Sequence, residues 1–430
     1  MRLFGASKIE NNNLIIGGVS ASKLVQNYKT PLYVMDEELL IKNCRDYINA
    51  FNVEKENNRV AFAGKAFLTL EMCRLINKEK LYLDVVSGGE LYTAYKADFP
   101  MEKIYFHGNN KTLDEIELGI KLGVGRFVVD NLWEMAKINE IAEKYNKIQE
   151  IYLRLTPGIE AHTHDYIKTG QIDSKFGFAP VENIIMDAVK KALSLENVRL
   201  SGLHCHIGSQ MFETEPFKDA AEIMLNFINE IKQETGHIID ELDLGGGFGI
   251  YYSEGDKPKE VKEYCNVILD KVDEVCKKLK LKKPILTIEP GRSIVANAGT
   301  TLYTIGSVKE IPGIRKYVAI DGGMTDNIRP ALYSAKYEAI IANKASEAND
   351  EIVTIAGKCC ESGDILIQDI NLQKAESGDI LAVLSTGAYC FAMSSGYNKI
   401  ARPAVVFVRD GEVREVVKRQ SFDDLILNEN

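Results

Sequence analysis

Eight short runs of apolar, largely β-branched or aromatic residues recur between about residues 59 and 290, separated by stretches of helical spacing. They read RVAFAG (59–64), LYLDVV (81–86), IYFHG (104–108), RFVVD (126–130), IYLRL (151–155), GLHCHIG (202–208), LDLG (242–245) and ILTIE (285–289). Segments 114–122 and 217–235 place apolar residues three and four apart, the repeat of an amphipathic helix. Strand alternating with helix forces parallel pairing through crossovers, since a tight turn can only reverse the chain. Eight such units in this length predict a (β/α)8 barrel of TIM type, with a doubly wound α/β sheet as the competing arrangement.

Beyond residue 290 the texture changes. Segments 303–308, 317–320, 352–356, 379–384 and 404–409 are strand-like, with turn residues between them and little helical periodicity. This predicts an α/β barrel over 31–290 and a mainly β domain, barrel or sandwich, over 291–430. The segment 1–30 lacks enough apolar residues for a core and is expected to join the β domain.

Composition narrows the function. With 52 Lys+Arg against 62 Asp+Glu the formal charge is −10, which argues against nucleic acid or an anionic membrane as partner. Residues 1–10 (MRLFGASKIE) lack the apolar stretch of a signal peptide, and no run approaches a membrane span. The eight cysteines form no CxxC pair, so neither a metal ribbon nor a disulfide scaffold is expected. A cytoplasmic enzyme without a structural metal fits these features.

In a (β/α)8 barrel the chemistry gathers at the C-terminal ends of the strands. Here run after run ends in polar residues or glycine: Lys65, Asp84 with Ser87–Glu90, His107, Asp130, Arg154, His206 with Ser209, Gly245–Gly247, and Glu289 with Arg292. The GGGFG run at 245–249 lets backbone N–H groups approach an anion, although a glycine-rich barrel turn is an equally good reading. Lys65, just past a buried strand, is suited to imine formation if burial keeps its amine neutral; a solvated rim lysine is the plain alternative. Lysine, phosphate cradle and carboxylate together suggest pyridoxal 5'-phosphate, with Glu289 on the pyridine nitrogen. His204 and His206 share a strand face, so one could stack on the ring while the other serves as a hydrogen-bonded core histidine.

These residues resemble the diaminopimelate decarboxylase family, within the alanine-racemase-like (fold type III) pyridoxal enzymes. The resemblance runs through AGKAF around Lys65, DVVSGGEL (84–91), HGNNK (107–111), DSKFGF (173–178), HCHIGSQ (204–210), LGGGFG (244–249) and EPGR (289–292). It implies decarboxylation of meso-2,6-diaminopimelate to L-lysine and CO2, the last step of lysine biosynthesis. Lys65 would carry the cofactor as an imine, His206 would stack on it and Glu289 would hold its nitrogen. Ser209, Gly245, Gly246, Gly247, Gly291 and Arg292 would bind the phosphate, with Asp84, Arg154 and Tyr389 in support. The racemases of the group use arginine where Glu289 stands.

Substrate selection by the same resemblance falls to the β domain. Within 320–337 (IDGGMTDNIRPALYSAKY) Arg329 and Tyr333 would meet substrate, and Glu361 of CESGD (360–364) would take the distal amino group, with Arg292 and Tyr389 assisting. A fixed guanidinium suits a distal carboxylate by bidentate pairing; a surface ion pair is the plainer role for Arg329. Ornithine, arginine or carboxynorspermidine as substrate, and a non-catalytic partner-binding relative, are the alternatives. Cys360 would be the proton donor, although a cysteine in a β domain is commonly inert core. In this group its loop reaches a second subunit, which implies a homodimer with shared active sites. Two departures stand out: Phe67 replaces a common asparagine, and Lys358-Cys359 precede CESGD where proline and an apolar residue are commoner.

Overall fold

The computed structural model describes residues 1–158 and 173–430. The chain divides into two compact units, one of residues 44–249 and 258–291, the other of 1–43, 250–257 and 292–430.

The first unit is the closed barrel. Its strands are β1 (Arg59–Ala63), β2 (Tyr82–Val85), β3 (Ile104–Phe106), β4 (Arg126–Val129), β5 (Gln149–Leu155), β6 (Val198–Cys205), β7 (Glu241–Asp243) and β8 (Ile285–Ile288). Each pairs in parallel with the next, and β8 returns to β1 through Thr287↔Arg59 and Ile288↔Val60. Most strands stop short of the apolar runs that announce them, because the last residue of each run, such as Asp130 or Glu289, already belongs to the mouth. Polar residues at the loops also start helices. Thr69, Ser87, Thr112 and Asn131 each accept a backbone N–H from the adjoining first turn, satisfying donors that a helix N-terminus otherwise leaves unpaired.

The barrel interior is filled rather than open. Ala61, Tyr105, Val128 and Tyr152 pack together within it. Below them Glu241, at the start of β7, accepts from Arg59 of β1 at 2.7 Å and from Arg126 of β4 at 2.9 Å, and also from the Tyr152 hydroxyl. One buried carboxylate therefore ties strands from opposite sides of the barrel.

The second unit is mostly sheet. Its largest sheet runs in the order Ile365–Leu372, Glu351–Ala356, Arg315–Ile320, Gly299–Ile311, Leu32–Asp36, Ala404–Arg409 and Glu412–Val417. Ile380–Leu384 also pairs with Gly299–Ile311, and Ala339–Ile341 with Ile380–Leu384. The expected boundary at residue 30 moves to residue 43, because Leu32–Asp36 is a central strand between Gly299–Ile311 and Ala404–Arg409. The segment before it makes a separate three-stranded sheet, whose Leu14, Ile16 and Val19 share a core with Leu32, Val34, Leu302 and Val406. No described helix is long and apolar enough to cross a membrane.

The barrel floor predicts an acid-sensitive element. Burial alone would raise the Glu241 pKa, but hydrogen bonds and charge from Arg126 and Arg59 bring it from its ordinary 4.5 to about 2. A depressed carboxylate stabilises above its unfolded pKa and loses that contribution as pH falls toward the folded value. Here it amounts to about 3 kcal/mol. Glu241→Gln should lower the thermal midpoint at neutral pH and flatten its decline over about pH 4.5 to 2, measured by calorimetry in both proteins.

Candidate active site

Seven of the eight strand ends deliver a charged or histidine side chain to the barrel mouth. Asp84 is the third residue of β2, His107 follows β3, Asp130 follows β4, Arg154 is the sixth residue of β5, His204 lies in β6, Asp243 ends β7 and Glu289 follows β8. All seven are buried. Glu289 is their centre. Its Oε2 accepts from His204 Nε2 at 3.2 Å, and its Oε1 lies 2.7 Å from His107 Nε2, off the hydrogen-bonding direction. The two imidazoles meet edge to face at 4.8 Å, and Asp84 Oδ1 stands 3.8 Å from His107.

The three carboxyl groups of this cluster are not equivalent. Burial raises Asp84, and burial together with the nearby Glu289 charge raises Asp243 well above the usual range. Glu289 is equally buried, yet His107 and His204 hold it well below the usual carboxylate range. Burial pushes His204 down to about 3 and His206 well below 6.5, the latter helped by the positive charges of Lys65 and Arg154. His206 is thus a neutral imidazole whose Nδ1 accepts from Gly246 N–H at 3.3 Å. The mouth favours negative charge on Glu289 over Asp84 and Asp243.

Two further carboxylates shape the surrounding loops. Glu134 is fully buried with Lys111 at 2.6 Å, and its second oxygen accepts from Asp130 N–H. Lys111 also donates to the carbonyls of Gly108 and Val128. This buried pair joins the HGNNK turn to the end of β4, where Asp130 faces Arg154 at 3.9 Å. Arg154 in turn lies 4.3 Å over the Phe176 ring.

The glycine loop after β7 is required by its neighbours' backbones. A Cβ on Gly245 would stand 2.6 Å from the Cys205 carbonyl, one on Gly246 2.1 Å from that of Glu289, and one on Gly247 2.3 Å from that of Gly208. Two of its N–H groups are engaged, Gly245 with Asp243 Oδ1 and Gly246 with His206. Gly291 presses likewise on Ala63, at 2.8 Å between the would-be Cβ and the alanine's own. The loop is bare because strand ends crowd it, a reason independent of any anion.

The second unit holds its own cluster. Arg292 Nη1 donates to the Tyr252 hydroxyl at 2.8 Å and its guanidinium lies 4.9 Å over Tyr389. Tyr389 has φ +63°, a left-handed backbone that is costly for a bulky residue and common where function fixes a side chain. Arg329 is buried against the Tyr252 ring at 4.8 Å and donates to the Tyr337 hydroxyl. Among the described residues no carboxylate pairs with it. Cys360 and Glu361 stand exposed on the turn after Glu351–Ala356, while Cys359 is buried with its N–H on Asp364 at 2.8 Å.

A buried carboxylate held between two imidazoles, with an exposed lysine past β1, fits a cationic pyridine ring carrying a carbonyl. Residues 38–296 match the pyridoxal-dependent decarboxylase family, pyridoxal binding domain. The chain is 49% identical over 427 residues to the diaminopimelate decarboxylase of Bacillus subtilis (strain 168), covering 99% of this chain and 97% of that one. It is 51% identical over 421 residues to that of Bacillus methanolicus, 98% of each. The crystal structure of diaminopimelate decarboxylase from M. jannaschii in co-complex with L-lysine matches with TM-score 0.92 and 38% identity, over 99% of this chain and 97% of that one. The chain belongs to the diaminopimelate decarboxylase family.

Against that membership, the positions expected from sequence divide into three groups. Asp84, Arg154, His206, Gly245–Gly247, Glu289 and Gly291 lie together at the mouth of this pyridoxal decarboxylase, and Arg292, Arg329 and Tyr389 lie together in its β unit. Lys65 is exposed in the turn Gly64–Ala66, where the imine argument expects burial. Ser209 is half-buried in the loop after β6, and Tyr333, half-buried at the end of the helix Arg329–Tyr333, is not the tyrosine on Arg329. That residue is Tyr337. The sequence places His107 at the mouth without giving it a role, and Asp243 could have been found from its place before the glycine loop; nothing in the sequence marks Tyr252 or Tyr337.

Gly246 offers a direct check. Gly246→Ala must displace the Glu289 backbone, an overpacking cost of about 1–3 kcal/mol. It should cut pyridoxal occupancy, read from absorbance after gel filtration. Gly89→Ala, whose Cβ would meet nothing nearer than 3.7 Å, should leave occupancy unchanged.

Proposed function

We propose that this decarboxylase converts meso-2,6-diaminopimelate to L-lysine and CO2 in the cytoplasm, as a homodimer with shared active sites. One observation carries the choice of substrate: Arg329 is a buried guanidinium among tyrosines without an anion among the described residues. Leaving a cation buried and unpaired costs several kcal/mol. A ligand bringing a carboxylate removes that cost, whereas a bare ammonium end, as in ornithine, adds a second cation. The distal end of diaminopimelate carries both a carboxylate and an ammonium, and Glu361 is the acid available for the ammonium.

Lys65 would hold pyridoxal 5'-phosphate covalently through its amine, Glu289 would face the ring nitrogen, and His206 the ring. Ser209 with the backbone of Gly245–Gly247 and Gly291–Arg292 would hold the phosphate. When bound, the cofactor supplies an electron-poor ring that delocalises the electron pair left on Cα as the carboxylate bond breaks. The ionised Glu289 keeps a proton on the ring nitrogen, and Asp84 and Arg154 hold the mouth in shape around it. Arg329, with Arg292, Tyr333 and Tyr389, would anchor the distal end of the substrate and so select which of its two carboxylates is lost. The Cys360 thiol gives its proton to Cα after CO2 departs, and the thiolate regains one from water.

Lysine formation from meso-diaminopimelate with added pyridoxal 5'-phosphate tests the reaction, and Lys65→Ala should abolish it. Arg329→Ala should lower kcat/KM by about a hundredfold, mostly in KM, as expected for loss of a charge-assisted pair. Unchanged turnover would refute the substrate assignment. Mixing inactive Lys65→Ala and Cys360→Ala dimers should restore about a quarter of the wild-type activity if each site draws on both chains, and none if a single chain completes it.

A further inference from the structure

Within residues 250–257, the stretch of the loop after β7 that belongs to the β unit, Tyr252 touches both arginines of that unit. Its hydroxyl accepts from Arg292 Nη1 at 2.8 Å, and its ring face receives the Arg329 guanidinium at 4.8 Å. The ring is itself buttressed edge-on by Tyr337 at 5.5 Å and 81°, and Tyr337 takes a hydrogen bond from Arg329. The backbone around Tyr252 is set by Asp256, which accepts the N–H groups of both Tyr252 and Ser253, and by Asn297, which donates to the Tyr251 carbonyl. One side chain thus fixes two cations by two different interactions from a rigid loop.

We propose that Tyr252 is the positioning residue that makes Arg329 selective for a distal carboxylate, a step that rests on the substrate reading above. An aromatic face holds a guanidinium in one plane without neutralising it. A carboxylate in the same place would fix Arg329 equally well, but would consume the charge the substrate must meet. The ring supplies orientation, and donors of the fork beyond the one given to Tyr337 remain for a ligand. The hydroxyl bonds Arg292 and not Arg329, while the ring lies against Arg329 at 4.8 Å and more loosely against Arg292 at 5.7 Å, so removal of the hydroxyl spares Arg329 and removal of the ring does not.

The test compares binding of L-lysine with binding of 1,5-diaminopentane, which lacks the carboxylate, to the pyridoxal-loaded enzyme. In wild type, lysine should bind more tightly. Tyr252→Leu should weaken lysine by about tenfold, the scale of a desolvated cation–π contact, and leave the diamine unchanged. Tyr252→Phe should keep the preference. A general structural defect would weaken both ligands alike and overturn the inference, as would a reduced preference in Tyr252→Phe, or an undiminished preference in Tyr252→Leu. If Tyr252→Leu does not fold, a ring-trifluorinated phenylalanine at position 252 weakens the face without removing bulk. It should reduce the lysine preference relative to Tyr252→Phe, and an equal preference would overturn the inference. Arg329→Ala separates the two layers. Loss of the preference there but not in Tyr252→Leu refutes the role of Tyr252, whereas its retention in Arg329→Ala refutes the substrate reading beneath it.

Discussion

The pairing of β8 with β1 is the constraint on which the barrel depends. Two register pairs, Thr287↔Arg59 and Ile288↔Val60, join segments more than two hundred residues apart in the chain. Ala63 N–H continues the seam to the Pro290 carbonyl at 3.2 Å, and Gly291 lies against Ala63 because it has no side chain. The floor reinforces the closure, since Glu241 on β7 grips Arg59 on β1 directly. Closure is what brings Glu289 of the last strand into the same mouth as Asp84 and His107 of the second and third. A barrel open at this seam would still have eight strands and would have no site.

Once the strand ends converge, their charges must be apportioned. Asp84, Asp243 and Glu289 cannot all ionise in a dry mouth, because like charges at short range raise one another's pKa. His204 and His107 decide the matter by facing both oxygens of Glu289, while Asp84 is reached by His107 only at 3.8 Å. His204 acts while neutral, its Nε2 donating to the carboxylate. The outcome favours the charge on Glu289 over Asp84 and Asp243, and an anion there is what a protonated pyridine nitrogen requires and what the arginine of a racemase would not supply. The Lys111–Glu134 pair works one layer further out, fixing the turns that carry His107 and Asp130 without itself facing the cluster.

Much of this was legible in the sequence because one rule governs it: in a parallel barrel, residues at and just past the C-terminal end of each strand point at the mouth. That rule finds Asp84, Arg154, His206 and Glu289 from apolar runs alone. It overreaches where a polar residue serves the next helix, as Ser87 does in capping, and the sequence does not distinguish a cap from a ligand. The GGGFG run was found for a reason that is incomplete. Its glycines are forced by contact with the carbonyls of Cys205, Gly208 and Glu289, partners that only the closed barrel defines. Leu32–Asp36 escaped because five consecutive buried residues lack the alternation of a half-buried strand. Tyr252 and Tyr337 escaped because a tyrosine acting through its ring face leaves no spacing pattern.

The β unit answers a different question from the barrel. Cation recognition needs an acid, but anion recognition in a buried place needs a cation that is held without being satisfied. Arginine among tyrosines achieves this: the rings replace the solvation of the guanidinium faces, and the planar edge keeps its donors. Arg292 also lies against tyrosines, stacked on Tyr389 and bonded to Tyr252. The strained φ of Tyr389 fits the same logic, since a left-handed tyrosine persists only where the surrounding contacts over-determine it. Aromatic residues here hold the Arg329 guanidinium in place, and among the described residues they do so without a paired carboxylate.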